Sequence, residues 1–344
     1  MATETRMTTP SRTEAQMFAR RRVAFGGILI AIAVLLPWIG PFQGEDYRRY
    51  LVTGALMAAY AVAFDFTAGY IDIVNFGFAA FVGLGGYTSG LLAVDLGIPP
   101  WIGMLAGALV AGLVGLATGM LTLRLRGIYA AVMAWFVGLA LMGLVRNLPE
   151  VTRGSLGLNV PALLPWTTSN LPYYYVILAM LFITIGVLMA VIRSRIGLAF
   201  RAIGQNLAAA RASGLNPTRF LVINFTLSCA FAGLLGGFYA HYIGIMTPET
   251  MLTSHTVEIL AVAYIGGRGS LWGPAVIAFP LTIATELTRT SLTSFPGLEL
   301  VLYGLLLVLI MIFRPSGFAG MVTQLGNWIW KPKADVPESV APAS

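Results

Sequence analysis

The sequence predicts an all-α, polytopic membrane protein with about 8–10 transmembrane or half-spanning helices. Of its 344 residues, 58% are hydrophobic, and the mean hydropathy of +0.82 is too high for one soluble domain to bury. Apolar runs of near-spanning length recur along the chain. No run of about ten residues alternates between apolar and polar side chains, so the pattern indicates helices and not the strands of a barrel.

The apolar runs define the elements in order, because a backbone in lipid must satisfy its hydrogen bonds within its own segment. A further run, residues 256–288, is interrupted by the sequence IGGRGSLWGP, whose four glycines and proline break a helix. This late segment is therefore predicted to be broken, as either a tight helical pair or a re-entrant element. The continuous runs cover residues 23–41, 51–69, 77–94, 101–123, 127–145, 173–192, 220–243 and 298–313.

Three regions follow from composition. Residues 1–22 form a polar tail that we expect to be disordered, and residues 23–316 form the transmembrane domain. Residues 317–344 form a second tail. No small-residue cleavage site follows the first apolar run, which predicts an uncleaved first helix.

Positive charge predicts the orientation of the chain. Arginines and lysines concentrate in the N-terminal tail, at Arg124 and Arg126, in residues 193–219 and in the C-terminal tail. Short flanks rich in these residues stay in the cytoplasm, so both termini are predicted to be cytoplasmic in a multi-pass membrane protein. The net charge of +7 then reflects orientation, and nothing indicates a nucleic-acid partner.

Motifs for catalysis and for resident cofactors are missing. The sequence has no HExxH or GxSxG motif, and a single cysteine, Cys229. Its only lysines are Lys331 and Lys333, so the GGRGS sequence at residues 266–270 is not a phosphate-binding loop. We predict no catalytic residue, no metal site and no cofactor bound by this chain. We place His241 and His255 at membrane edges, with a proton relay as the alternative.

Polar residues at membrane depth are costly and are therefore candidates for function. Asp72 is expected to cap a helix starting near Ile73; the alternative is that the chain unwinds there to face a solute. Glu258 begins the interrupted segment, and it either caps that segment or lines a path. Glycines at small-residue spacing between residues 77 and 119 predict close helix packing, with a glycine-lined pore as the alternative. The candidate path residues are Asp72, Asn75, Glu258, Gly266 and Gly267; Asp65, Glu286 and Glu299 are further polar residues at this depth.

The loop RSRIGLAFRAIGQNLAAARASGLNPTRF, residues 193–220, is longer than a connector needs. It predicts a short helix from Leu198 through Ser213, a left-handed cap at Gly214, and a stop at Asn216 and Pro217. Ala208, Ala209 and Ala210 would give this helix a smooth face. A surface helix with a smooth face and flanking arginines suits docking into a groove on a partner.

The same loop resembles the cytoplasmic coupling loop of LivM-type permeases, the membrane subunits of ATP-binding-cassette importers for branched-chain amino acids. Residues 69–90, LRLRGIY (123–129), TRGSLGL (152–158) and IGGRGSLWGP (265–274) resemble further segments of that family, in order. The chain departs from the family pattern at residues 69–75 and at Arg153. The resemblance to the coupling loop is carried by Ser194, Arg195, Gly197, Ala199, Arg201, Ala202, Ile203, Asn206, Ala209, Ala210, Gly214 and Asn216.

The resemblance implies a permease subunit of the bacterial inner membrane. ATP and Mg would be bound by two cytoplasmic ATPase subunits, and a periplasmic binding protein would deliver a branched-chain amino acid, urea, an amide, or an aromatic or dicarboxylic acid. A second, homologous permease would complete the pore. The alternatives are a secondary transporter driven by an ion gradient and a structural subunit. The ATPase-coupling residues implied are Arg201, Asn206, Ala209, Ala210, Arg211, Gly214 and Asn216.

Overall fold

The computed structural model describes residues 27, 30–39, 44–122 and 128–291, together with residues 301, 304–305, 308–309, 312–313 and 317–322. The N-terminal tail, Arg124, Arg126, Glu299 and most of the C-terminal tail lie outside the described residues. So does most of the last predicted apolar run.

The described chain is helical almost throughout, which confirms the all-α prediction. Six helices are long and apolar enough to cross a membrane, judged by length and composition: α1, α2, α3, α4, α6 and α9. The helices are α1 (Glu45–Ala68), α2 (Phe78–Asp95), α3 (Pro100–Thr122), α4 (Ile128–Asn147), α5 (Pro149–Thr152), α6 (Asn170–Arg193), α7 (Arg195–Gln205), α8 (Leu207–Ala212), α9 (Pro217–Ile243), α10 (Thr253–Gly266) and α11 (Trp272–Ser291).

Short elements complete the described chain. Strands β1 (Leu158–Asn159) and β2 (Ile245–Met246) pair antiparallel, with Leu158 opposite Met246. Single 3-10 turns lie at Leu36–Trp38, Gly154–Leu156 and Pro248–Met251. The first turn follows a helical stretch at residues 30–35, and the Tyr174 hydroxyl of α6 ties this stretch to the bundle by donating to the Ala33 carbonyl oxygen at 2.6 Å.

Helix α1 is the centre of the bundle, packed against α6, α9, α10 and α11. Nearly every residue from Leu51 to Ala68 is buried, and many are alanines, whose small side chains let four helices approach one axis. From α9, Asn224 donates to the Phe66 carbonyl oxygen at 3.0 Å and Ser228 donates to that of Ala63 at 2.7 Å. Interhelical hydrogen bonds thus supplement van der Waals packing at the centre.

Glycines bring α2, α3 and α9 into backbone contact, as the spacing predicted. A Cβ atom at Gly85 would overlap the backbone of Gly233, and one at Gly107 would lie 2.5 Å from the Gly85 carbonyl oxygen. The three glycines form a close-packed junction. The outward face of α3, with exposed Leu105 and Leu109, is apolar enough to face lipid.

The bundle has two distinct ends. Helix α1 begins beside the start of α6, where the Glu45 carboxylate accepts from the Asn170 amide at 2.9 Å. It ends beside α7, where Gly204 lies against Tyr70. We call these the β1–β2 end and the α7–α8 end, after the other elements found at each.

Candidate functional site

The loop 193–219 folds as two short helices, and the single helix predicted from Leu198 through Ser213 is wrong. Helix α7 already begins at Arg195, with the Ser194 side chain accepting from the Ile196 amide at 3.2 Å. Asn206 then interrupts the helix in an extended conformation, and its side chain accepts from the amides of Ala208 and Ala209, each at 3.0 Å. Asparagine stabilises the start of a helix but not its interior. At Asn206 the chain therefore ends one helix and caps the next, and does not continue as a single helix.

The end of the loop confirms one prediction and corrects another. Gly214 has φ of +81°, the left-handed conformation expected for a cap. Asn216 and Pro217, predicted to stop a helix, instead start α9: the Asn216 side chain accepts from the Arg219 amide at 3.4 Å, and Pro217 is the first residue of the helix. Proline is well placed there because the first amide of a helix has no partner within it.

Most coupling candidates are exposed, but Ala210 is not. Its exposed fraction is 4%, because it packs into the main core. The smooth face therefore lacks Ala210, and Ala208, Ala209 and Ala212 form it instead. The exposed candidates are Arg201, Asn206, Ala209, Arg211, Gly214 and Asn216.

Helix α7 lies on the bundle through an apolar face. Phe200 is fully buried between the rings of Phe66, at 5.7 Å between centroids, and Phe220, at 6.4 Å. At its last turn, a Cβ atom on Gly204 would overlap the Tyr70 carbonyl oxygen. The helix is therefore held against the segment that follows α1.

That segment, residues 69–77, is unwound. The prediction that Asp72 caps a helix near Ile73 is wrong, because α2 begins only at Phe78. Asp72 has φ of +57°, and its carboxylate accepts from the Arg268 guanidinium at 2.7 Å. Both side chains are largely exposed, so the pair contributes little stability, about 0–1 kcal/mol. Asn75, in contrast, is buried, and its side chain accepts from the Gly77 amide at 3.0 Å just ahead of α2.

The late segment breaks where predicted, between α10 and α11. Helix α10 has 14 residues. It is therefore about 21 Å long, short of the roughly 30 Å needed to span a bilayer. The break is held by Asp65 of α1, whose fully buried carboxylate accepts from the Gly269 amide at 2.9 Å and the Leu271 amide at 3.4 Å.

Tight contacts occupy the rest of this break. The backbone of Gly266 packs against that of Pro274, and the backbone of Gly267 packs against Gly317. Gly267 has φ of +108°, a conformation that favours glycine. Gly69 and Gly269 touch through their backbones. Of the candidate path residues, Asp72, Gly266 and Gly267 thus meet at the α7–α8 end, while Asn75 lies within the core.

Glu258 lies elsewhere, in a cavity of about 590 Å³ between α1, α2, α9, α10 and α11. The cavity runs along α1 from Arg49 to Tyr60, which corresponds to about 16 Å of helix. Leu56, Val82 and Ile259 form part of its apolar wall. Its charged and hydroxyl-bearing residues include Arg49, Ser254, Glu258, Thr282, Thr285 and Glu286.

The two histidines differ in burial, and their place at a membrane edge stays a prediction. His241 is fully buried: its Nδ1 lies 2.8 Å from the Pro161 carbonyl oxygen and its Nε2 2.8 Å from the Ser89 hydroxyl. A carbonyl oxygen only accepts, so Nδ1 carries a proton, and the ring links α9, α2 and the loop after β1. His255 is exposed, 3.4 Å from the Glu258 carboxylate.

Polar loops lie at the β1–β2 end. Arg153 adopts the left-handed conformation, φ +64°, at the end of α5, and TRGSLGL leads from there into β1. The Glu249 carboxylate lies 3.4 Å from the Arg146 guanidinium. Its pKa is held below the ordinary value, chiefly because it accepts from its own backbone amide, with Thr247 and Arg146 adding to the effect and slight desolvation opposing it.

Sequence reasoning missed four residues that the structure brings forward. Asp65 was noted for its depth but was not among the candidate path residues, and Arg49 was not a candidate. Gly204 and Thr282 carried no signal, since their importance depends on a backbone contact and on a cavity. Among the described residues, no cluster of histidine, cysteine, aspartate and glutamate could hold a metal ion.

A multi-pass helical bundle with a broken late segment and an exposed helical loop at one end is an architecture expected of a membrane transport permease. The family model described as "Branched-chain amino acid transport system / permease component" matches residues 47–311, and the chain belongs to this family. It is therefore the permease subunit of an ATP-binding-cassette importer, and the alternative of a secondary transporter is set aside.

Relatives agree with this assignment. The LivM permease protein of the high-affinity branched-chain amino acid transport system of Salmonella typhimurium (strain LT2) is 29% identical, over 85% of this chain and 74% of that protein. The LivH permease protein of Escherichia coli (strain K12) is 24% identical, over 78% of this chain and 92% of that protein. The LsrC permease protein of an autoinducer 2 import system from Enterobacter sp. (strain 638) is 29% identical, over 66% of this chain and 59% of that protein. A comparison with solved structures found no match.

Proposed function

We propose that this permease translocates branched-chain amino acids, or a closely related small polar solute, and that ATP hydrolysis on two partner subunits drives the transport. ATP and Mg would be bound by those partners. The single observation that carries the coupling part of this proposal is the α7–α8 surface. One side of it is exposed, and the other is packed on the unwound segment after α1.

Movement of α7 has a short physical route into the bundle. Gly204 abuts Tyr70, and Gly69, one residue earlier, abuts Gly269 in the break before α11. Asp65 bonds the same break to α1. Close backbone contacts transmit displacement because they leave no compressible space. A motion of the docked ATPases would therefore reach α10 and α11 through a few contacts.

The orientation follows from the same proposal. The α7–α8 end would lie in the cytoplasm with both termini, and the β1–β2 end would face the periplasm of a bacterial inner membrane. A substrate-binding protein would then meet the loops around β1 and α5. In Escherichia coli (strain K12), LivM and LivH are both named as permease proteins of the high-affinity branched-chain amino acid transport system. This pairing favours a second, homologous permease beside this chain.

The docking role is tested by placing a charge on the smooth face. We expect Ala209→Glu to abolish ATP-driven uptake in proteoliposomes that hold the complete importer, while the chain still inserts and ATPase activity persists without transport. Ala209→Ser, which keeps a small side chain at the same position, is the matched control and should retain uptake. Normal uptake by Ala209→Glu would rule out this surface as the docking site.

A further inference from the structure

We propose that the cavity at the β1–β2 end is a binding site for the zwitterionic head of an α-amino acid, with the first turn of α10 receiving the carboxylate and Glu258 receiving the ammonium group. This inference rests on the proposed function and specifies where this chain itself holds its solute. Its size fits such a ligand, since cavities of about 300–1,000 Å³ hold small molecules.

The anion half of the site is a helix start without a cap. Leu252 precedes α10 and offers no side-chain acceptor. The His255 amide donates to the Leu252 carbonyl oxygen at 3.1 Å, so the amides of Thr253 and Ser254 remain for another acceptor. Ser254 and His255 of this first turn line the cavity, as does Ala79 of the first turn of α2. The Thr256 hydroxyl accepts from the Ala79 amide at 3.0 Å, so the positive ends of two helices converge on one wall.

The cation half is Glu258, one turn further along α10. Side chains on a helix tilt toward its N-terminus. The Glu258 carboxylate is therefore directed back toward the Thr253 and Ser254 amides at the start of α10. The two charged groups of an α-amino acid sit on one carbon atom and need partners at such short spacing. The lining also includes Arg49, and no described carboxylate lies within 4.0 Å of its guanidinium, so it is placed to attract the solute carboxylate.

An unpartnered hydroxyl in the wall gives independent support for a ligand. Thr282 is 4% exposed, lines the cavity, and its hydroxyl has no hydrogen-bond partner. One turn on, the Thr285 hydroxyl bonds back to the Leu281 carbonyl oxygen at 2.8 Å, which is the usual solution for threonine in a helix. The Thr282 hydroxyl does not make such a bond. A buried hydroxyl without a hydrogen bond costs free energy unless a ligand or a water molecule provides a partner.

The apolar part of the wall suits the rest of the ligand. Leu56 and Met57 of α1, Val82 of α2 and Ile259 of α10 contribute aliphatic surface. An aliphatic side chain buried against them would gain free energy in proportion to the area removed from water. The site therefore fits an amino acid with an aliphatic side chain better than urea or a dicarboxylic acid.

The test uses a single reporter cysteine in the complete importer, reconstituted in vesicles of phosphatidylcholine and phosphatidylglycerol. Cys229 is buried and is replaced by alanine, and Thr282→Cys is then labelled with a small methanethiosulfonate reagent. L-leucine at ten times its Kd leaves about one site in eleven free, so labelling should slow about tenfold. Thr285→Cys is a second reporter, in case a cysteine at position 282 itself weakens binding.

Matched probes test each pole of the zwitterion. 4-Methylpentanoate lacks the ammonium group of leucine and 3-methylbutylamine lacks its carboxylate, so neither should protect at the same concentration. Glu258→Gln should raise the half-protecting concentration of L-leucine by about 10- to 100-fold, the effect of losing one charge-assisted hydrogen bond. Asp95→Asn, at the exposed last residue of α2 and outside the cavity lining, is the control and should leave protection unchanged.

Three outcomes would overturn the proposal: no protection by L-leucine at either reporter, equal protection by all three probes, or protection in Glu258→Gln equal to that of the parent. A labelling rate that responds to added phosphatidylethanolamine and not to L-leucine would assign the cavity to a lipid headgroup instead. Labelling needs no ATP-driven uptake, so a failure of the proposed transport function would appear separately, as absent uptake with protection intact.

Discussion

At the α7–α8 end, the buried Asp65 carboxylate is bonded to two backbone amides, and Gly69, Gly204 and Gly269 leave no space between the segments they join. In the cavity toward the β1–β2 end, the Thr282 hydroxyl has no partner and 590 Å³ stays open among charged side chains. The same few elements, α1, α10 and α11, contribute to both regions.

The contrast separates two physical tasks. A region that transmits movement needs contacts that are filled and bonded, because loose contacts absorb displacement. A region that receives a polar solute needs room and polar groups not yet satisfied by the protein. A change at the α7–α8 end should therefore reduce stability or coupling. A change in the cavity should alter solute transport and leave the stability of the fold unchanged. Three predictions test this division, from the largest expected effect to the smallest.

The largest effect is expected from Asp65→Ala. Removing the carboxylate leaves the buried Leu271 amide and the part-buried Gly269 amide without this acceptor, at about 1–3 kcal/mol for the buried one. We expect a steep loss of folded protein, measured as the detergent-solubilised fraction that survives heating. Asp72→Ala, which loses only the exposed pair with Arg268, is the control and should stay near the parent. Equal stability of the two variants would remove the distinction between a filled and an open end.

A smaller effect on stability, with a larger one on coupling, is expected from Gly204→Val. The new side chain would overlap the Tyr70 carbonyl oxygen and force α7 away, at about 1–3 kcal/mol for an overpacked contact. Uptake should fall more than the amount of folded protein, measured by transport per inserted importer. Gly186→Val on α6, where a Cβ atom meets nothing within 4 Å, is the matched control. Parallel loss of uptake in both variants would mean that the α7 contact carries no special role.

The smallest effect on stability, and one of opposite sign, is expected from Thr282→Val. This change removes an unpartnered buried hydroxyl while keeping the shape, so stability should hold or rise by about 1 kcal/mol. Thermal stability in detergent measures it, and uptake should still decline if the hydroxyl serves the solute. Thr184→Val provides the comparison, because that buried hydroxyl bonds to the Met180 carbonyl oxygen at 2.8 Å. A loss of stability at position 282 as large as at position 184 would contradict the contrast.

The helices could be predicted from the sequence because the signals that define them lie within each segment. Apolar length predicted the spans, and the glycines between residues 265 and 274 predicted the break that separates α10 from α11. The loop 193–219 was located correctly, yet its single predicted helix failed at Asn206, where a side-chain cap competes with continuous helix at similar energy. The prediction failed because the two conformations at Asn206 differ little in free energy.

The sites were harder to predict because they depend on long-range contacts. Asp65 and Gly269 are 204 positions apart in the chain, and no periodicity in the sequence pairs them. The sequence showed that His241 lies near the end of an apolar run, but it did not show that Ser89 and Pro161 are its buried partners. The cavity combines residues of five helices, so its lining emerges only once the helices are packed.

Helix α10 is bounded by non-helical backbone on both sides, the extended Leu252 before it and the glycine-rich break after it. In kinematic terms it is a rigid link between two joints. It can shift along its own axis without losing a helical hydrogen bond, since the changes in φ and ψ fall in the joints. A displacement arriving at Gly269 would thereby become a displacement of Glu258, and the strength with which the solute is held would follow the position of a single short helix.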